Sequence, residues 1–181
     1  AAGGVGSWCV QLAKLAGNHV IGTCSTQEKA MELKRLGCDR VIVYREENIG
    51  EVLAAEYPNG VNLVFEQVGG DTFEACLDNI AVRGRILICG FISEYTSGPQ
   101  DVTAPRVYHK LLWKSAQIRA FLYSHWPDQI AEHVEDLLTK VANGDVDPLI
   151  DPTVFRGVDH AIDAVEYLHS GKNTGKVIVQ Y

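Results

Sequence analysis

The chain of 181 residues, 46% of them hydrophobic, is long enough for one well-buried domain. Its formal net charge of −7 leaves no basic stripe that could bind a phosphate backbone, so nucleic acid is not expected as a partner. No apolar run reaches the roughly 18 residues that a membrane-spanning helix requires, so no membrane association is expected.

Two periodicities alternate along the chain. Short apolar, β-branched runs predict strands that are covered on both faces, at 19–24, 40–43, 61–66, 85–90 and 117–121. Helical spacing predicts helices at 5–16, 27–36, 49–57, 71–81, 105–114, 127–143 and 158–170. Left-handed residues are expected where helices stop or turns begin, at Gly37, Gly60, Gly84 and Gly144. The alternation predicts an α/β fold with a Rossmann-type doubly wound parallel sheet.

The first six residues carry a glycine spacing that is typical of dinucleotide-binding turns. Read from Ala1, the spacing is Ala-x-Gly-x-x-Gly, directly before a predicted helix. Gly3 would let the backbone approach a pyrophosphate, and Gly6 would let the helix pack closely on the sheet. The free N–H groups of the first helical turn would bind the anion. Such turns also occur for backbone reasons alone, but the helix–strand–helix context favours the dinucleotide interpretation.

The stretch after the first predicted strand indicates which dinucleotide is bound. An NAD-binding unit usually places Asp or Glu there, whereas this chain has Ser25 and Thr26, followed by Lys29. Hydroxyl groups and a lysine accept a 2′-phosphate, which a carboxylate would repel. Tyr44 and Arg45, after the next strand, would close the same pocket. Lys29 or Arg45 alone would be an ordinary surface charge. Together with the missing acidic residue, the two favour NADPH over NADH.

The five cysteines are scattered and odd in number. They form no Cys-x-x-Cys pair and no Cys/His cluster with metal spacing, so no metal site is expected. Reduced core residues are the expected role, which fits a reducing compartment.

Five stretches, in this order and spacing, resemble the medium-chain dehydrogenase/reductase superfamily, and within it the zinc-free quinone oxidoreductase/prostaglandin reductase branch: AAGGVGSWCVQLAKLAG, GTCSTQEK, FEQVGG, GRILICGFISEY and GKNTGKVIV. The resemblance covers essentially the whole chain. It implies an NADP-dependent oxidoreductase that needs no zinc. Its substrate would be a small α,β-unsaturated ketone (15-keto-prostaglandin-like), an alkenal or a quinone, which accepts hydride at its β-carbon.

The resemblance also assigns roles to individual residues. The pyrophosphate would lie against Gly3, Gly4, Val5 and Gly6. The 2′-phosphate would be held by Ser25, Lys29 and Tyr44. Residues that follow the predicted strands at 61–66 and 85–90, together with one residue near the end of the chain, would line the ribose and nicotinamide: Val68, Gly69, Cys89, Gly90, Phe91, Ile92 and Asn173. Tyr95 would lie beside the substrate's oxygen as a candidate catalytic residue, and an ordinary loop aromatic is an equal alternative.

In this superfamily a GroES-like catalytic domain and the first strand of a 3-2-1-4-5-6 sheet precede the glycine-rich turn. The resemblance therefore implies that both are missing here. Residues 1–145 would be the dinucleotide-binding domain without its first strand, and residues 146–181 would normally return to the absent domain. The fragment is expected to be inactive alone. The cytoplasm is the expected compartment, with peroxisome and mitochondrion left open because the termini look truncated.

Some alternatives stay open. An enoyl thioester reductase is the second enzyme class, and a nucleotide-binding or crystallin-like module without turnover is the non-enzymatic one. The predicted strand at 117–121 would be the sixth of the complete sheet. It resembles an edge through which relatives form homodimers. The least regular stretch, 93–105, follows a strand's carboxyl end, where open α/β sheets bind ligands.

Overall fold

A computed structural model describes residues 1–95, 98 and 107–181. Most of the irregular stretch 93–105 therefore lies outside the described residues, as do the first two residues of the helix predicted at 105–114. The chain divides into two compact units. Unit 1 combines Ala1–Glu46 with Glu132–Tyr181, and unit 2 is Glu47–Ala131. The predicted domain boundary after residue 145 stays a prediction.

The predicted helices and strands are all present, with some bounds shifted. The α-helices are α1 (Gly6–Leu15), α2 (Gln27–Arg35), α3 (Ile49–Glu56), α4 (Gly70–Asp78), α5 (Tyr108–Lys114), α6 (Pro127–Ala142) and α7 (Ala161–His169). The strands are β1 (Ile21–Cys24), β2 (Arg40–Val43), β3 (Val61–Glu66), β4 (Ile80–Ile88), β5 (Gln117–Ala120), β6 (Phe155–Arg156) and β7 (Val179–Gln180). In the described part of the chain, no helix is both long and apolar enough to span a membrane.

The first sheet lies in unit 1, where β1 and β2 pair in parallel from Ile21↔Arg40 to Cys24↔Val43. The helix α2 begins after Thr26, whose side chain accepts a hydrogen bond from the Lys29 N–H and so caps the first turn. It buries Leu33 completely in a core that includes β1 and β2 residues. The capped helix therefore begins directly behind the carboxyl end of β1.

The second sheet lies in unit 2 and has the order β3-β4-β5, with both pairs parallel. Its core joins Leu77 of α4 to Ile80 and Ile86 of β4, all at most 1% exposed. The predicted α/β class with parallel strands is confirmed. The pairings within the two units correspond to the 3-2 and 4-5-6 parts of the predicted strand order.

The chain's last segments pair within unit 1. The short strands β6 and β7 are parallel, and an isolated bridge joins Ile150 to Lys176. A second bridge joins Gly3 to Gly175. The returning segment therefore lies beside the glycine-rich turn.

The prediction of a left-handed conformation is wrong for one of the four glycines. The other three have positive φ angles of 95°, 80° and 79°: Gly37, Gly60 and Gly144. Gly84 instead lies inside β4, and the left-handed residue is Arg83, with a φ of 63°. A Cβ on Gly84 would lie 2.7 Å from Ile80 Cγ1, so the glycine permits close packing. Because Ile80 already pairs with Val61, β4 begins well before the predicted residue 85.

Candidate functional site

The glycine-rich turn leads directly into α1. A Cβ on Gly6 would lie 2.4 Å from the carbonyl oxygen of Ala1, so only glycine fits there. Gly3 differs, because no atom of the described residues lies within 4 Å of the position that its Cβ would take. Internal packing therefore does not require Gly3 to be a glycine. The space that a side chain would fill is available to a ligand that approaches the backbone, as a pyrophosphate does.

The N-terminus of α1 suits an anion. Among the described residues, no side chain caps this helix, and its first turn contains no acidic residue. The N–H groups of a first helical turn lack carbonyl partners inside the helix, and the helix dipole adds partial positive charge. In α1 the Ser7 N–H already donates to the Gly3 carbonyl at 3.0 Å, so an anion would bind to the other N–H groups of this turn. The predicted roles of Gly3, Gly4, Val5 and Gly6 thus agree with the local geometry and stay predictions.

Lys176 lies against the same turn, although the sequence analysis did not single it out. A Cβ on Gly4 would be 2.9 Å from Lys176 Cδ and 3.3 Å from its Cα. The backbones are also joined, because Gly175 N–H donates to the Ala2 carbonyl at 2.7 Å. Lys176 therefore adds a positive charge near the predicted pyrophosphate site. Its position in the Asn-x-Gly-Lys stretch was the only available signal.

The residues predicted to hold the 2′-phosphate lie at the carboxyl ends of β1 and β2. Ser25 follows β1 and is buried. Tyr44 follows β2, is half-exposed, and donates its N–H to the Cys24 carbonyl at 3.0 Å, which places the two strand ends side by side.

Lys29 follows in the first turn of α2, and its Nζ donates to the Gly171 carbonyl at 2.6 Å. Burial lowers the pKa of Lys29, and the neighbouring Arg45 lowers it further. In unit 1, Ser25, Lys29 and Tyr44 therefore lie near the carboxyl ends of β1 and β2. No Asp or Glu stands at the end of β1.

Asn173 lies in the loop that contacts the glycine-rich turn. Its side-chain amide is buried and donates to the Gly175 carbonyl at 2.9 Å. The buried Asp151 holds this loop by accepting from Thr174 N–H at 2.7 Å and from Thr153 N–H at 2.9 Å. Burial by itself raises the pKa of Asp151, but these hydrogen bonds outweigh burial and hold the pKa below its ordinary value. Asn173 is thus positioned next to the turn, with part of its amide already used.

In unit 2, the loops after β3 and β4 run side by side. Ile92 N–H donates to the Gln67 carbonyl and Ser93 N–H to the Val68 carbonyl, both at 3.0 Å. Gly69 has a φ of 80°, and a Cβ there would lie 3.2 Å from Phe91 Cβ. These contacts bring together residues predicted to line the ribose and nicotinamide: Val68, Gly69, Cys89, Gly90, Phe91 and Ile92.

Tyr95 lies in the same group of loops. Its ring packs edge-on against Phe91, with centroids 5.0 Å apart and an interplanar angle of 82°. A Cβ on Gly90 would be 2.8 Å from the Tyr95 hydroxyl oxygen, so this hydroxyl lies directly over the Gly90 backbone. The side chain is 53% exposed. Tyr95 can therefore meet a ligand, and its catalytic role stays a prediction.

Glu66 is a further residue of this site that was not predicted from the sequence. It ends β3 and is only 3% exposed. Its carboxylate accepts from Val68 N–H at 2.9 Å and from Gly69 N–H at 3.1 Å. A carboxylate at the end of a largely apolar strand, three residues before a pair of glycines, was a signal that could have identified it.

Cys76 of α4 is near enough to Glu66 for the carboxylate to affect the pKa of the Cys76 thiol. Burial raises the pKa of the Cys76 thiol to about 11, and the charge of Glu66 contributes. Burial also raises the pKa of Cys89. These thiols are protonated at neutral pH and are poor nucleophiles.

Comparison with known proteins identifies the class. Residues 4–140 match a family described as zinc-binding dehydrogenase. The chain therefore belongs to this family, which lies in the medium-chain dehydrogenase/reductase superfamily.

Within the superfamily, the predicted quinone oxidoreductase/prostaglandin reductase branch is confirmed. Over 99% of its length the chain is 44% identical to prostaglandin reductase-3 from Mus musculus and 42% identical to a probable quinone oxidoreductase from Leishmania amazonensis. It spans about half of these relatives, 50% and 54% of their lengths.

The fold comparison gives the same class. The crystal structure of CurA from Vibrio vulnificus in complex with NADPH has a TM-score of 0.88 and 32% identity, covering 99% of this chain and 54% of that one. The NADPH in that structure agrees with the predicted cofactor.

Zinc appears in the family's description, but the described residues do not fit a zinc site. They contain no group of three or more His, Cys, Asp or Glu side chains that could hold a metal. Structural and catalytic zinc sites both need at least three such ligands.

Proposed function

We propose that this chain is the NADP(H)-binding part of an oxidoreductase that reduces the carbon–carbon double bond of α,β-unsaturated ketones or alkenals, or reduces quinones. The observation that carries the proposal is the open space beside Gly3 at the uncapped start of α1. The relatives support it, since they include a prostaglandin reductase and a probable quinone oxidoreductase.

Unit 1 residues would bind the phosphates. The glycine-rich turn and the first N–H groups of α1 hold the pyrophosphate, with Lys176 adding positive charge. Ser25, Lys29 and Tyr44 hold the 2′-phosphate. Lys29 suits this task because its ammonium has three N–H donors and Gly171 uses one of them.

Unit 2 residues would act at the nicotinamide and the substrate. When bound, NADPH supplies the hydride that reaches the β-carbon of the substrate. The loops after β3 and β4 exclude water from this end of the cofactor and orient it. Tyr95 would donate a hydrogen bond to the substrate's oxygen, where negative charge develops as hydride reaches the β-carbon. A proton from solvent would then complete the reduction at the α-carbon.

The protein would also form a homodimer through β5. Among the described strands, β5 pairs only with β4, so its other edge has no strand partner. An unpaired edge is suited to sheet extension by a second copy. Phe121 N–H donates to the Ile88 carbonyl of β4, so the N–H of the preceding, exposed Ala120 faces the unpaired edge. Analytical ultracentrifugation would show a dimer that an Ala120→Pro substitution at this edge converts to monomer; a monomeric wild type would contradict this part of the proposal.

The experiment uses the protein at its natural length and follows NADPH oxidation with a 15-keto-prostaglandin, a 2-alkenal, a quinone and crotonyl-CoA. Tyr95→Phe should lower kcat for the enones about 100-fold by removing a donor to the developing oxyanion. Tyr123→Phe, at an exposed tyrosine of the same unit, should leave kcat unchanged.

The outcomes separate the alternatives. Reduction of crotonyl-CoA alone would replace the proposal with a thioester reductase. NADPH binding without turnover of any substrate would indicate a nucleotide-binding module without catalysis.

A further inference from the structure

The Glu66 carboxylate is buried at the end of β3, and the partners that the structure gives it are backbone donors. Val68 N–H donates to one oxygen, and Gly69 N–H donates to both. Burying a carboxylate is costly unless hydrogen bonds compensate. A chain reversal does not by itself require a buried carboxylate. We therefore infer that the Glu66 carboxylate fixes the position of this turn.

The turn is held from its other side as well. Its Gln67 and Val68 carbonyls accept from Ile92 and Ser93 in the loop after β4. The N–H groups of the turn thus face Glu66, and its carbonyls face the second loop. A shift of the turn would therefore be transmitted to the loop that carries Phe91 and Tyr95.

We propose that Glu66 is a positioning residue for the nicotinamide end of the cofactor site. It acts through the Val68–Gly69 turn on the loop that holds Phe91 and Tyr95, and this inference rests on the proposed function. Glu66 belongs to unit 2, whereas the residues assigned to the phosphates belong to unit 1. Loss of its charge should consequently weaken binding of the nicotinamide portion and leave binding of the adenosine phosphate portion unchanged.

Two ligands separate these portions. NADPH contains the nicotinamide and its ribose, whereas 2′,5′-ADP lacks both. Both are titrated against wild type, Glu66→Gln and Glu51→Gln, using the protein at its natural length. Glu51 is an exposed glutamate of the same unit, so its variant controls for the loss of one charge.

In Glu66→Gln we expect NADPH to bind about tenfold more weakly, because a neutral amide is a poorer acceptor for the two N–H groups and loses the second oxygen. Affinity for 2′,5′-ADP should not change. Hydrogen exchange should accelerate in residues 67–70 and 91–95 and stay unchanged in the core of β3 and β4. If Glu66→Gln does not fold, Glu66→Asp, which keeps the charge on a shorter side chain, is measured instead.

Unchanged NADPH affinity in the folded variant would overturn the inference alone. Equal weakening of both ligands, with faster exchange throughout, would also overturn it, since that result indicates a general folding role. Wild-type protein that binds neither ligand would instead overturn the proposed function, and with it the basis of the inference.

Discussion

The ammonium group of Lys29 donates a hydrogen bond to the carbonyl oxygen of Gly171 at 2.6 Å. The bond joins the first turn of α2 to the loop that contains Asn173, although the two residues are 142 positions apart. The same loop pairs with the glycine-rich turn through Gly175. The residues assigned to the 2′-phosphate and to the pyrophosphate are therefore linked through the last loop of the chain.

Gly3 and Gly6 should respond in opposite ways to the same added methyl group. Gly3→Ala meets no described atom, so the free energy of unfolding should stay the same or rise by up to about 1 kcal/mol. NADPH affinity should fall at least about tenfold, because the methyl group occupies the space assigned to the pyrophosphate. Urea unfolding and an NADPH titration measure the two effects.

Gly6→Ala provides the comparison. Its methyl group would overlap the Ala1 carbonyl, so the free energy of unfolding should fall by about 1–3 kcal/mol. If Gly3→Ala binds NADPH as tightly as wild type, the assignment of the pyrophosphate to this turn is contradicted.

Asp151→Asn should destabilise unit 1. An asparagine has one acceptor oxygen where Asp151 uses two, so one of the N–H groups of Thr153 and Thr174 loses its partner, at about 1–3 kcal/mol. The control is Asp145→Asn, at an exposed position.

The pH dependence of stability tests the same residue. The pKa of Asp151 is lower in the folded protein than its ordinary value of 3.8, so its contribution is present above that pH and is lost as pH falls through the folded value. Wild type should therefore lose more stability than Asp151→Asn on acidification. Parallel acid unfolding curves would contradict this account.

Cys76 should make the protein less stable in alkali. Its pKa rises from 9.0 to about 11 on folding, so the neutral thiol stabilises the fold fully below pH 9.0, and this contribution is lost as pH rises through about 11. The two-unit difference corresponds to at most about 2–3 kcal/mol. Urea unfolding of wild type and Cys76→Ala across this range should give curves that converge with rising pH; a constant difference would show that folding does not raise the pKa of Cys76.

The sequence predicted features that depend on neighbouring residues. Helical spacing predicted that α2 starts at residue 27, and the Ala-x-Gly-x-x-Gly spacing indicated the turn before α1, because helix starts and tight turns are specified locally. The parallel sheets followed from alternating periodicities.

Features that depend on contacts between distant segments were not predicted. The turn after Glu66 is held from its other side because Ile92 and Ser93, in the loop after β4, donate to its carbonyls. Lys176 lies against Gly4 because the last segment returns to unit 1. The left-handed Arg83 was missed because the early pairing of Ile80 with Val61 places Gly84 inside a strand.

The most direct test of the account is the affinity of the protein for NADPH and NADH, measured for wild type, Lys29→Ala and Lys34→Ala. Lys34 is an exposed lysine of the same helix and serves as the control. The ratio of the two affinities reports the 2′-phosphate contact, whereas the NADH affinity alone reports any loosening of the Gly171 loop. We expect wild type and Lys34→Ala to bind NADPH at least about tenfold more tightly, and Lys29→Ala to lose this preference. Equal affinities in wild type, or a preference that survives in Lys29→Ala, would contradict the assignment of the 2′-phosphate site.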